Sequence, residues 1–202
     1  MNITQSTTST AAPVTWRVVD IVVAAVLGVA GGFLFWGVAA AWTPITGPLG
    51  FYPPAAAVLN GLWLVPGVLG GLVIRKPGAA VFTELVAALV EAQLGDQWGF
   101  SVLYYGLAEG FGAELILAVL LYRRFGLPVA VLSGAGAGVA VGILDLVVYY
   151  ADFPASQKAA YVVLSVVSGA AIAGAGGWLL TRALARTGAL APLASGRTAE
   201  RV

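Results

Sequence analysis

Read in order, the basic residues of this chain fall almost entirely on one side of a series of apolar stretches. Arg17, Arg75, Lys76, Arg123, Arg124, Arg182, Arg186, Arg197 and Arg201 share that side, and Lys158 alone lies opposite. Six stretches lie between these markers, at about residues 16–42, 54–74, 79–94, 100–122, 127–150 and 158–180. Each is near the ~20 residues that a helix needs to cross a bilayer, the third being the shortest. Charged residues make up 9% of the chain, against about 25% in a soluble domain. The expected fold class is therefore an all-α membrane protein of six transmembrane helices. The nine-to-one charge split predicts a multi-pass protein of the cell membrane with both termini cytoplasmic. Residues 1–15 are expected to be a disordered N-terminal segment, 16–186 a six-helix substrate-binding domain, and 187–202 a disordered tail.

What is missing narrows the chemistry. With no Cys and no His, thiol catalysis, disulfides, the usual proton shuttle and the commonest metal ligands are all excluded. No metal site, cofactor or nucleic-acid partner is expected. The chain has no GxxxxGK[ST] loop, so it carries no nucleotide-phosphate cradle of its own. Uphill transport would need a borrowed ATPase.

Small residues recur every four positions at Ala24, Gly28 and Gly32, at Gly134, Gly138 and Gly142, and at Ser165, Gly169, Ala173 and Gly177. Such ridges allow close helix approach in lipid. The second and third are read as internal packing. For the first, the pattern leaves open internal packing or a second membrane protein.

Carboxylates inside apolar helices are costly and mark cavities or pairing sites. Counted at about 1.5 Å per residue from Lys76 and Arg123, Glu84 and Glu114 lie about 12 to 14 Å deep. By the same count Glu91, Glu109 and Asn60 form a second layer about 21 to 23 Å in. Trp63, Trp98, Tyr105, Tyr149 and Asp145 belong to that outer region, and no basic side chain accompanies them. A cationic or proton-donating ligand, held by carboxylates and stacked on rings, is the expected guest.

Four strings carry a resemblance: NGLW (Asn60 to Trp63), the RKPGAA-to-FTEL turn and helix (Arg75 to Leu85), GDQWG (Gly95 to Gly99) and GFGAE (Gly110 to Glu114). Together they resemble the YkoE-type S component of energy-coupling factor (ECF) vitamin transporters. The resemblance implies a six-span bundle with both ends inside and a ligand that is thiamine or its hydroxymethylpyrimidine precursor. It also implies a transmembrane T component and two cytoplasmic ATPase subunits as partners, with Ala24, Gly28 and Gly32 facing the T component. Within the matched strings, Asn60, Trp63, Glu84 and Glu114 are the strongest substrate-binding candidates. Glu91, Trp98, Tyr105, Glu109, Asp145 and Tyr149 complete the set.

Rival readings are an S component for another small vitamin, a stand-alone proton-coupled carrier, and an intramembrane protease built on Asp145. The last lacks a GxGD string to supply a second aspartate.

Overall fold

The computed structural model describes residues 15–199, and among these every regular element is helical. Helix α1 (Val18–Thr46) leads through short 3-10 turns into a ten-residue 3-10 helix (Pro53–Leu62), then α2 (Val65–Ile74), α3 (Ala79–Leu94) and α4 (Val102–Val119). Helix α5 (Leu127–Val148) is followed by a rod made of α6 (Ala155–Ser168), a π-helical segment (Gly169–Gly176) and α7 (Gly177–Arg186), with a short α8 (Ala194–Ala199) beyond. Five stretches are long and apolar enough to cross a membrane: Val18–Leu49, Pro53–Ile74, Gly99–Val119, Leu127–Val148 and Ala155–Arg186. Helix α3, at 16 residues, covers about 24 Å at helical rise.

Several boundaries differ from the sequence expectation. Helix α1 runs past Pro44 to Thr46. The second apolar stretch begins as a 3-10 helix, and α-helix starts only at Val65, with Pro66 in its first turn. A proline there removes an N–H that has no helical partner anyway. Helix α4 stops three residues early, because Leu121 and Tyr122 take left-handed backbone angles, φ 54 and 53.

The glycine ridges of α5 and the rod meet each other. A Cβ at Gly134 would sit 2.2 Å from the Gly169 carbonyl oxygen, and one at Gly138 2.5 Å from that of Ser165. In lipid, where apolar surface gives no preference for protein over solvent, such close backbone contact is what holds helices together.

The first ridge also packs inside the chain. Gly28 and Gly32 press on Val86 and Val90 of α3, at 2.6 and 2.5 Å for an added Cβ, and Ala24 is fully buried. Val22, Val26, Val29 and Phe33 form the outward side of α1 instead. A helix shows its small residues where it packs tightest, and here the tight neighbour is α3.

The basic residues gather at one end of the bundle, where buried Asp20 accepts from Lys76 Nζ at 2.6 Å and from Arg17 at 2.9 Å. Lys76 also donates to the Thr15 carbonyl, and Trp16 Nε1 to that of Pro77. The expected disordered tail is packed here as far as it is described. Leu190 and Leu193 are buried against Ala24, Leu69, Val73 and Ile74, and Arg17 donates to the Pro192 carbonyl. Two leucines at i and i+3 supply enough apolar surface to hold the segment down. Of the N-terminal stretch, all but Thr15 lies outside the described residues, as do residues 200–202.

Candidate functional site

At the end opposite the basic cluster, the helices part around a half-open cavity of about 310 Å³, within the size range of small-molecule sites. Its wall collects the ends of α1, the 3-10 helix, α3, α4, α5 and α6.

One side is a triangle of tryptophans. Trp42, Trp63 and Trp98 pack edge to face, with ring centroids 5.0, 5.9 and 6.1 Å apart. Trp63 Nε1 donates to Glu91 at 3.4 Å. Trp98 is set by the GDQWG loop, where Asp96 accepts from the backbone N–H groups of Trp98 and Gly99 and Gly99 takes a positive φ of 59. Glycine takes that angle without a Cβ clash.

The opposite side is a polar network. Asp145 Oδ2 accepts from Tyr161 at 2.7 Å and from Asn60 Nδ2 at 3.1 Å, and Asn60 also donates to Ser165 Oγ at 3.1 Å. Tyr161, Ser165 and Ser168 lie at i, i+4 and i+7, one stripe of α6. That stripe fixes the 3-10 helix: Ser168 Oγ donates to Val58 O at 2.6 Å and accepts from Gly61 N at 2.9 Å. The 3-10 geometry thus has side-chain partners that a bare apolar helix would not supply, and it delivers Asn60 to Asp145. Tyr105 stacks on Tyr149 at 6.1 Å and turns its buried hydroxyl toward Asp145 without reaching hydrogen-bonding geometry.

Asn60, Trp63, Glu91, Trp98, Tyr105, Glu109, Asp145 and Tyr149 all line this cavity, and among the described residues no lysine or arginine does. Glu84 and Glu114 are not among the lining residues. Glu114 points at the start of α3, accepting from the N–H groups of Gly78, Ala80 and Val81 at 2.8, 2.8 and 3.4 Å and from the Tyr122 hydroxyl at 2.7 Å. It caps a neighbouring helix. Burial, and then the Glu114 carboxylate, hold the Tyr122 phenol above its ordinary range, so it remains a donor.

Glu84 lies behind the wall, fully buried, accepting from Gly67 N and facing Glu109. The depth count had placed it a layer below Glu109. The count assumes helical rise from each anchor, yet Lys76 lies in the turn between α2 and α3 and Arg123 follows three non-helical residues beyond α4. Gly110, adjacent to Glu109, packs directly on Glu84 Cβ. Tyr161 was missed, although the polar stripe on α6 is visible in the sequence once its period is followed. Phe35, from the middle of α1, also lines the wall, and nothing in its apolar surroundings marks it.

A bundle of membrane-length helices closed at one end around an acidic, aromatic cavity defines a membrane-embedded small-molecule binding protein. The comparisons give the particular kind. Residues 19–140 match the family model described as the permease component of an ABC-type cobalt transport system. An HMP/thiamine permease protein, YkoE, of Bacillus subtilis (strain 168) is 34% identical over 186 residues, which are 90% of this chain and 91% of that one. A crystal structure of an S component of an ECF transporter superposes with a TM-score of 0.88 at 33% identity, covering 93% of this chain and 94% of that chain. The chain belongs to the YkoE-type S components of ECF transporters, and is a transporter subunit of the membrane.

Proposed function

We propose that this S component captures thiamine, or a thiamine precursor, from outside the cell and delivers it inward with a transmembrane T component and two cytoplasmic ATPases. In this reading six helices cross the membrane, α3 among them, and the basic end with both termini is cytoplasmic. The observation that carries the ligand class is the wall composition: Glu91, Glu109 and Asp145 with three tryptophans, and no basic residue among those described. Thiamine is a permanent thiazolium cation joined to an aminopyrimidine. The cation suits the ring faces and Glu91. The amino group suits Asp145, whose Oδ2 is already taken by Asn60 and Tyr161, leaving Oδ1 to accept from a ligand. The name of the Bacillus relative supports the same ligand. A divalent metal as guest has less support, since among the described residues no three His, Cys, Asp or Glu side chains form a metal-donor group.

Isothermal titration of the detergent-purified chain with thiamine tests the proposal. Saturable one-to-one binding at micromolar or lower ligand is the expected result. Absence of heat, with no thiamine or pyrimidine in a mass spectrum of ligand carried through purification, would refute it.

A further inference from the structure

Two buried carboxylate oxygens, Glu84 Oε1 and Asp96 Oδ2, have no hydrogen-bond donor among the described residues. Each faces another carboxyl group: Glu84 meets Glu109, and Asp96 meets Glu91. The first contact is the more enclosed, with Glu84 1% and Glu109 4% exposed. Two ionised carboxylates in contact away from water repel strongly, and a proton shared between them removes the repulsion and supplies the missing donor.

Among the described residues no cation meets the pair, and the unpartnered hydroxyl of Tyr105, one turn before Glu109 on α4, turns toward Asp145. From α2 the pair receives only the Gly67 N–H, and from α3 and α5 it is faced by Glu91 and Asp145, both acidic. Helix α1 brings Phe35 to this region, and α6 brings Tyr161, which is spent on Asp145. Lys76 is engaged by Asp20 at the far end.

We infer that Glu84 and Glu109 form a proton-binding site behind the vitamin cavity, and that a cationic ligand displaces this proton when it binds. Glu84 reaches the cavity only through Glu109, which lines it. A fixed positive charge in the cavity favours the ionised form of Glu109. The shared O–H then breaks, both groups become carboxylates, and the proton leaves to water through the open mouth. Up to one H⁺ is released per cation bound, so the charge added to the site is partly cancelled. This inference rests on the proposed cationic ligand.

The test is titration of the full chain with thiamine in phosphate and in Tris, whose ionisation enthalpies differ. A net proton release should appear as a buffer-dependent enthalpy, and affinity should rise with pH, by up to tenfold per pH unit for as long as the free pair holds its proton. Glu84→Gln should bind without the release. Infrared difference spectra of the wild-type chain, which need no variant, should show loss of a carboxylic-acid C=O band on thiamine addition. Binding with equal enthalpies in both buffers, or release retained in Glu84→Gln, would overturn the proton site and leave the ligand assignment standing. No binding at all would overturn the ligand assignment itself.

Discussion

Glu114 and Asp145 are both acids inside apolar helices, yet their neighbours give them different work. Glu114 accepts three backbone N–H groups that the first turn of α3 cannot satisfy internally, and its negative charge sits at the positive end of that helix dipole. Asp145 lines the cavity and has one oxygen held by neutral donors. Glu114→Gln should therefore cost about 1 to 2 kcal/mol of stability, read as a lower melting temperature in detergent. Thiamine affinity should change less than about twofold, since 1.4 kcal/mol of lost binding would be needed for a tenfold effect. A large loss of affinity in a fully folded Glu114→Gln protein would place this residue back at the ligand.

Among the elements, α1 shows what a glycine ridge means in a membrane helix. Gly28 has α3 against it, whereas a Cβ at Gly37 would meet nothing within 4 Å. Gly28→Leu should overpack the α1–α3 contact by about 1 to 3 kcal/mol or more, seen as loss of monodisperse protein in detergent. Gly37→Leu should leave folding intact. If Gly28→Leu instead folds normally and loses only its partner subunits, α1 must turn its ridge outward in the assembled transporter. The 3-10 helix makes a related point, because its backbone depends on Ser168 and its Asn60 on Ser165 and Asp145. The shape of that wall is held from α6.

Across the whole molecule, charge is separated along the bundle. Basic groups close one end through Asp20, Lys76, Arg17 and the returning C-terminal segment, while the other end holds acids and rings around an opening. On the proposed reading, such a chain captures its ligand and draws on the ATPase subunits for energy. Reconstituted alone in vesicles it should not accumulate thiamine, with or without a pH gradient. Accumulation should appear when the T component, both ATPases and ATP are supplied. Gradient-driven accumulation by the chain alone would favour the stand-alone carrier.

Membrane residence, the all-helical fold, the basic end and the existence of an acidic, aromatic cavity were all legible in the sequence. Each depends on a one-dimensional quantity: run length, residue type, or order along the chain. Eight of the ten proposed ligand contacts came together for the same reason, since helix ends at one side of a bilayer must meet. The structure decided the facing of each side chain. It turned Glu114 to a helix cap, put Glu84 behind Glu109, buried the α1 ridge, and recruited Tyr161 and Leu193. Those outcomes depend on rotation, tilt and relative height between helices, which residue spacing within one helix does not contain.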